Sequence, residues 1–155
     1  MAEFSNAELL RAVGRLLDRE AASRVKMRDD GDHLVVMWLV REGEWDSASY
    51  RKGAGLDTLR DRTPLRPTRS PQLTGQPSRW EELLRTLGQE LDREGIRLTE
   101  LMQAGGFEVA GRQNGAEVRR WYSHDELQKR SDSYRLLRRR HPRRLRWWRR
   151  LLGRG

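Results

Sequence analysis

Leu9, Val13, Leu16 and Leu17 recur at the three- and four-residue spacing of a single helix face, with charged residues between them. Ser5 stands three residues before Glu8, the spacing at which a hydroxyl and a carboxylate cap a first turn reciprocally, and Phe4 is placed to staple onto Leu9. This pattern predicts a helix from about Ser5 to Ala22. The period then changes from helical to two. Val25 and Met27 alternate with Lys26 and Arg28 up to Asp30-Gly31, a dipeptide suited to the positive φ angles of a tight hairpin. Leu34 to Val40 is a continuous apolar run, read as a returning strand buried on much of both faces. Glu42-Gly43 marks a second turn, Trp45 to Tyr50 a third strand, and Leu56 to Asp61 a short closing helix.

The same succession returns further along. Ser78 and Glu81 form a second capping box, Leu83, Leu84, Leu87 and Leu91 make the apolar stripe, and Gly95 supplies a left-handed stop. Strands are expected at Ile96–Met102, Phe107–Arg112 and Ala116–Tyr122, joined at Gly105-Gly106 and at Asn114-Gly115, a strong short hairpin signal. Ser123 and Glu126 then cap a helix containing Leu127, Tyr134, Leu136 and Leu137, which Pro142 ends.

The two successions are related in sequence. A shift of 74 places Glu8-Leu9-Leu10-Arg11 on Glu82-Leu83-Leu84-Arg85, Gly14 on Gly88, Asp18-Arg19-Glu20 on Asp92-Arg93-Glu94, and Gly31 on Gly105. A shift of 72 places Gly43 on Gly115 and Tyr50 on Tyr122. The chain therefore reads as a duplicated module. The expected fold class is α+β: two tandem repeats of a helix, a three-stranded antiparallel meander and a helix, plus a basic C-terminal amphipathic helix or tail. The boundaries fall at 1–62 for the first module, 63–78 for a linker, 79–141 for the second module and 142–155 for the tail. The linker holds four of the five prolines and no acidic residue, a composition suited to a semi-stiff spacer. A lone three-stranded sheet with one covered face is marginal, so the modules gain by packing together, sheet edge to sheet edge or through their helices; the linker also permits independent beads.

Charge changes the picture. Residues 1–128 carry 20 basic and 22 acidic side chains, whereas residues 129–155 carry 12 basic ones and a single acid, Asp132. The net charge of +9 thus belongs to the last 27 residues. In that segment Arg138, Arg139, Arg140, Arg143, Arg144, Arg146, Arg149 and Arg150 surround Trp147 and Trp148. Guanidinium groups offer phosphate a planar fork of donors, and tryptophan stacks on bases or sits at a lipid interface. If helical, the segment places Leu145, Trp148, Leu151 and Leu152 along one side. The phosphate backbone of RNA or DNA is the leading ligand for these ten residues. An anionic membrane surface or an acidic protein partner in a larger assembly is the alternative.

Other chemistry is thin. Without cysteine there is no disulfide, thiolate metal site or cysteine nucleophile. His33, His124 and His141 lack metal-ligand spacing, and His124 reads as local polarity at a helix start. Asp29-Asp30-x-Asp32 reads as hairpin-turn chemistry, and Asp18-x-Glu20 with its copy Asp92-x-Glu94 as ion pairing on solvated helix faces. No phosphate loop or nucleophile motif is present, so no enzyme, catalytic residue, cofactor or metal is expected. One enzymatic reading stays open: Trp38, Trp45, Trp80, Trp121, Tyr50 and Tyr122 lining a groove between the modules. The longest apolar run is seven residues and Met1–Asn6 shows no secretory pattern, so a cytoplasmic protein is expected.

The order helix, three strands, helix is similar to that of double-stranded RNA-binding domains. The resemblance is one of topology: such domains carry a lysine-rich motif where the closing helix begins, and here Ser123-His124-Asp125-Glu126 stands in that place.

Overall fold

The computed structural model of the chain describes residues 4–51 and 79–140, with backbone alone for Arg79 and residues 134–140. Helix α1 (Asn6–Arg19) leads into strands β1 (Arg24–Asp29), β2 (His33–Arg41) and β3 (Glu44–Arg51). Helix α2 (Arg79–Glu94) leads into β4 (Arg97–Gln103), β5 (Phe107–Gln113) and β6 (Ala116–Tyr122), and helix α3 (His124–Arg140) follows. The expected helix at Leu56–Asp61, the linker 63–78 and the tail 142–155 lie outside the described residues.

Local chemistry accounts for the boundaries. Ser5 and Glu8 form the predicted capping box, which starts α1 at Asn6. The helix ends at Arg19, three residues before the sequence pattern suggested, because Ala21 turns to a positive φ of 51° and its neighbour Ala22 is already buried. At the β5–β6 hairpin Asn114 and Gly115 adopt φ angles of 52° and 82°, the paired positive values that a two-residue turn between twisted strands requires. Ser123 accepts hydrogen bonds from the backbone of Asp125 at 3.2 Å and Glu126 at 3.5 Å to start α3.

The two meanders form one sheet. Its strand order is β3-β2-β1-β4-β5-β6, entirely antiparallel, and the halves meet where β1 pairs with β4 with Met27 opposite Leu101. The beads arrangement is thereby excluded for the described halves, and both anticipated packings occur together. Sheet edge joins sheet edge, and α1 packs along α2 on one face.

That helix pair shows why the repeat conserves the residues it does. Asp18, near the end of α1, accepts from the backbone N–H groups of Trp80 at 3.1 Å and Glu81 at 2.9 Å, at the start of α2. Asp92, its counterpart in α2, accepts from the N–H groups of Asn6 at 2.9 Å and Ala7 at 3.0 Å, at the start of α1. The helices run antiparallel, and each supplies the carboxylate that satisfies the other's unpaired amides and positive dipole end. The sequence reading of these aspartates as members of solvated intrahelical ion pairs is therefore corrected: within-helix spacing said nothing about a partner some 60 to 90 residues away. Arg11 and Arg15 likewise reach across to Glu81, at 2.9 and 2.8 Å.

Glycine permits the approach. A Cβ on Gly14 would lie 2.6 Å from the Glu81 backbone, and one on Gly88 2.6 Å from the Ala7 backbone. Beneath the helices, Leu10, Val13, Leu17, Leu84, Leu87 and Leu91 are fully buried and meet Val25, Met27, Val36, Trp38, Leu101 and Phe107 of the sheet. Helix α3 rests on α2 through buried Leu127 and Ser131, and its Arg130 pairs with Glu90, a carboxylate that is itself buried.

Candidate binding surfaces

Because core residues alternate along each strand, the intervening residues form a second sheet face, against which no described helix packs. In the first half this open face carries Arg24, Lys26 and Arg28 on β1, His33, Val35, Met37 and Leu39 on β2, and Trp45, Ser47, Ser49 and Arg51 on β3. The pairing places Leu39 between Arg24 and Trp45, Met37 between Lys26 and Ser47, and Val35 between Arg28 and Ser49. An apolar strip thus runs down the middle strand, flanked by cations on β1. Met37 is 39% and Trp45 40% exposed, and Val35 and Leu39 are half-buried.

No carboxylate occupies a strand position of this half-face. Arg28 is engaged by Asp30 of the hairpin at 2.8 Å, and the Lys26 ammonium lies 5.3 Å from the centre of the Trp45 ring, within range of a cation–π attraction. The sequence reading of Leu34–Val40 as buried on much of both faces is corrected here. Among the described residues the helices lie on one face of the antiparallel sheet, and the second set of side chains in the run, Val35, Met37 and Leu39, stays half-buried or exposed.

The open face of the second half differs. Arg97, Arg112 and Arg119 are balanced by Glu100, Glu108 and Glu117, and Arg119 approaches Glu108 at 3.5 Å. A cleft of about 450 Å³ lies here, lined by those three arginines, Glu100 and Glu117, and by Asp29 at the end of β1. Trp121, 61% exposed, lies across Gly106, where a Cβ would come within 2.6 Å of its ring.

The six aromatics offered as a possible groove do not converge. Trp38 and Trp80 belong to the core, with the Trp80 indole N–H donating to the Ala22 carbonyl at 2.8 Å and its ring set edge-on to Phe107. Trp45 and Trp121 lie on opposite edge strands, β3 and β6. Tyr122 donates to Glu94 at 3.0 Å; burial, then that hydrogen bond and the carboxylate charge, hold its phenol well above the usual tyrosine range. His124, read as local polarity, stacks on Phe107 at 4.6 Å between ring centres. Among the described residues no group of His, Asp or Glu could hold a metal ion, and no helix is long and apolar enough to cross a membrane.

Of the residues singled out for anion binding, Arg138, Arg139 and Arg140 fall in the last turn of α3. Arg143, Arg144, Arg146, Trp147, Trp148, Arg149 and Arg150 lie outside the described residues. Sequence reasoning missed the open face of β1–β3, although its signal was present: cations alternating with core residues on β1, beside a strand that is apolar from Leu34 to Val40.

Among the described residues these features define an α+β fold of three helices and a six-stranded antiparallel sheet, with the described helices on one face. Compared with models of protein families, with curated proteins and with solved structures, the chain matches none.

Proposed function

We propose that this is a non-enzymatic binding protein of the cytoplasm, built from two tandem copies of one module that serve as a protein-interaction platform. Its Arg/Trp-rich C-terminal tail, which follows α3 in the chain, binds the phosphate backbone of RNA or DNA. The observation that supports this reading is the charge partition, 12 basic residues against one acid in residues 129–155 beside a body with 20 basic and 22 acidic residues. The bias toward arginine favours phosphate, which the guanidinium plane meets with two parallel hydrogen bonds. Leu127 and Ser131 tie the first part of α3 to the body, so the cations that follow start from a fixed base.

The test is binding of the full chain to labelled RNA and duplex DNA as a function of salt. Eight arginines each neutralising one phosphate of a duplex give a slope of log K against log salt of about −7. Replacing Arg138, Arg139, Arg140, Arg143, Arg144, Arg146, Arg149 and Arg150 by Gln should abolish binding without unfolding the body. Undiminished binding by that variant would refute the assignment to the tail. Binding to anionic vesicles but not to oligonucleotides, with a blue shift of tryptophan emission, would assign the tail to a membrane surface instead.

A further inference from the structure

The open face of β1–β3 combines two properties that seldom coincide on a free surface. It is apolar along its centre and cationic along its flank, with no carboxylate at its strand positions. We infer that this half-face is a docking site for an acidic amphipathic segment of another protein, with Val35, Met37, Leu39 and Trp45 taking its apolar side and Arg24, Lys26 and Arg51 its carboxylates. The inference rests on the reading of the modules as an interaction platform and is independent of the tail's ligand.

Three observations carry it. The first is charge complementarity: among the described residues Arg24, Lys26 and Arg51 form no ion pair and share their half-face with no strand carboxylate, whereas the arginines of the β4–β6 face stand among Glu100, Glu108 and Glu117. A partner's carboxylates would meet these cations on a half-face that supplies none at its own strand positions.

The second is the kind of apolar side chain present. Valine, methionine and leucine outnumber the single aromatic, Trp45. Stacking of nucleic-acid bases needs flat aromatic surfaces in succession, whereas aliphatic side chains fit a protein's apolar stripe; methionine in particular adapts its shape to the partner. A hydrophobic centre with a polar rim, anchored by a tryptophan beside a lysine, is the anatomy of a protein interface.

The third is geometry. Alternate residues on a strand lie about 7 Å apart, so Val35, Met37 and Leu39 form a row about 14 Å long, matching about two and a half turns of an amphipathic helix. Such a helix would cover the sheet from the side opposite α1 and α2.

The probes are three synthetic peptides of about 14 residues. One carries Leu and Phe at i, i+3, i+4 and i+7 with Glu between them, one has the same composition scrambled, and one has Lys in place of Glu. Each is titrated into the isotope-labelled full chain and followed by amide NMR, with a single-stranded oligonucleotide as a fourth titrant. The acidic amphipathic peptide should shift amides of residues 24–28, 35–39 and 45–51. The scrambled and lysine peptides should bind at least about tenfold more weakly, and Met37→Asp or Lys26→Glu should weaken the acidic peptide by a similar factor.

Shifts confined to β4–β6 would leave the platform reading standing and overturn this assignment of its face. Shifts confined to the tail, equal affinity for the scrambled peptide, or no binding would overturn both. A stronger response of the same amides to the oligonucleotide would assign the face to nucleic acid and overturn the proposal.

Discussion

The two halves of the sheet share a scaffold and differ in what they show to solvent. Behind each lies a helix whose start is capped by an aspartate from the other half, Asp18 for α2 and Asp92 for α1, and whose backbone is approached closely at a glycine, Gly14 or Gly88. In front, β1–β3 present four cations and no acid around Met37 and Trp45, whereas β4–β6 balance three arginines with three glutamates. The hidden side is constrained by packing and by amides that must find partners, so both copies retain it. The open side carries no such constraint, and there the two halves differ.

The shared scaffold is the part whose disruption costs most. Gly14→Ala and Gly88→Ala each press a methyl against backbone that cannot rotate away, and each should destabilise the protein by about 3 kcal/mol, the upper end for overpacking, measured by urea unfolding. Similar values for the two would confirm the equivalence of the halves; a neutral result at either position would break it.

Removing the reciprocal caps comes next. Asp18→Ala and Asp92→Ala each leave two amide donors at a helix start without their carboxylate and should cost about 1–2 kcal/mol. Asp92 also receives the Asn6 side chain at 2.9 Å. A loss confined to one of the two variants would show that the two ends are not held alike.

Tyr122 gives a smaller effect with a distinctive pH signature. Its pKa is raised in the folded state, so the protein gains stability that is complete below the ordinary tyrosine value of 10.0 and is lost as pH rises through the folded value. Tyr122→Phe should cost about 1 kcal/mol at neutral pH and flatten the alkaline decline in stability, read from urea midpoints across pH 8–12. An unchanged decline would place the alkaline sensitivity elsewhere.

Smallest in stability are the open-face substitutions. Met37→Asp and Trp121→Ser should each change unfolding free energy by no more than about 0.5 kcal/mol, because neither removes a buried contact of the core. If Met37→Asp costs several times that amount, its side chain serves the fold and the contrast between the halves weakens.

The fold was largely legible in the sequence, and the reasons are local. Ser5 with Glu8, Asp30-Gly31, Asn114-Gly115 and the change of hydrophobic period from helical to two each dictate structure within a few residues. The joining of the halves was left open because neither edge strand says which edge will pair. The aspartate caps were misread because Asp18 and Trp80 are 62 residues apart in sequence. The open face was missed for a related reason. The apolar run through Val35, Met37 and Leu39 looks the same whether one layer of helices or two will cover it, and only the sheet with its single helical layer decides.

The most direct test of the contrast is amide hydrogen exchange on the full chain, with and without saturating acidic amphipathic peptide. Added protection confined to β1–β3, residues 24–51, with β4–β6 unchanged, is the predicted result. Equal protection of both halves, or protection of residues 97–122 alone, would contradict it.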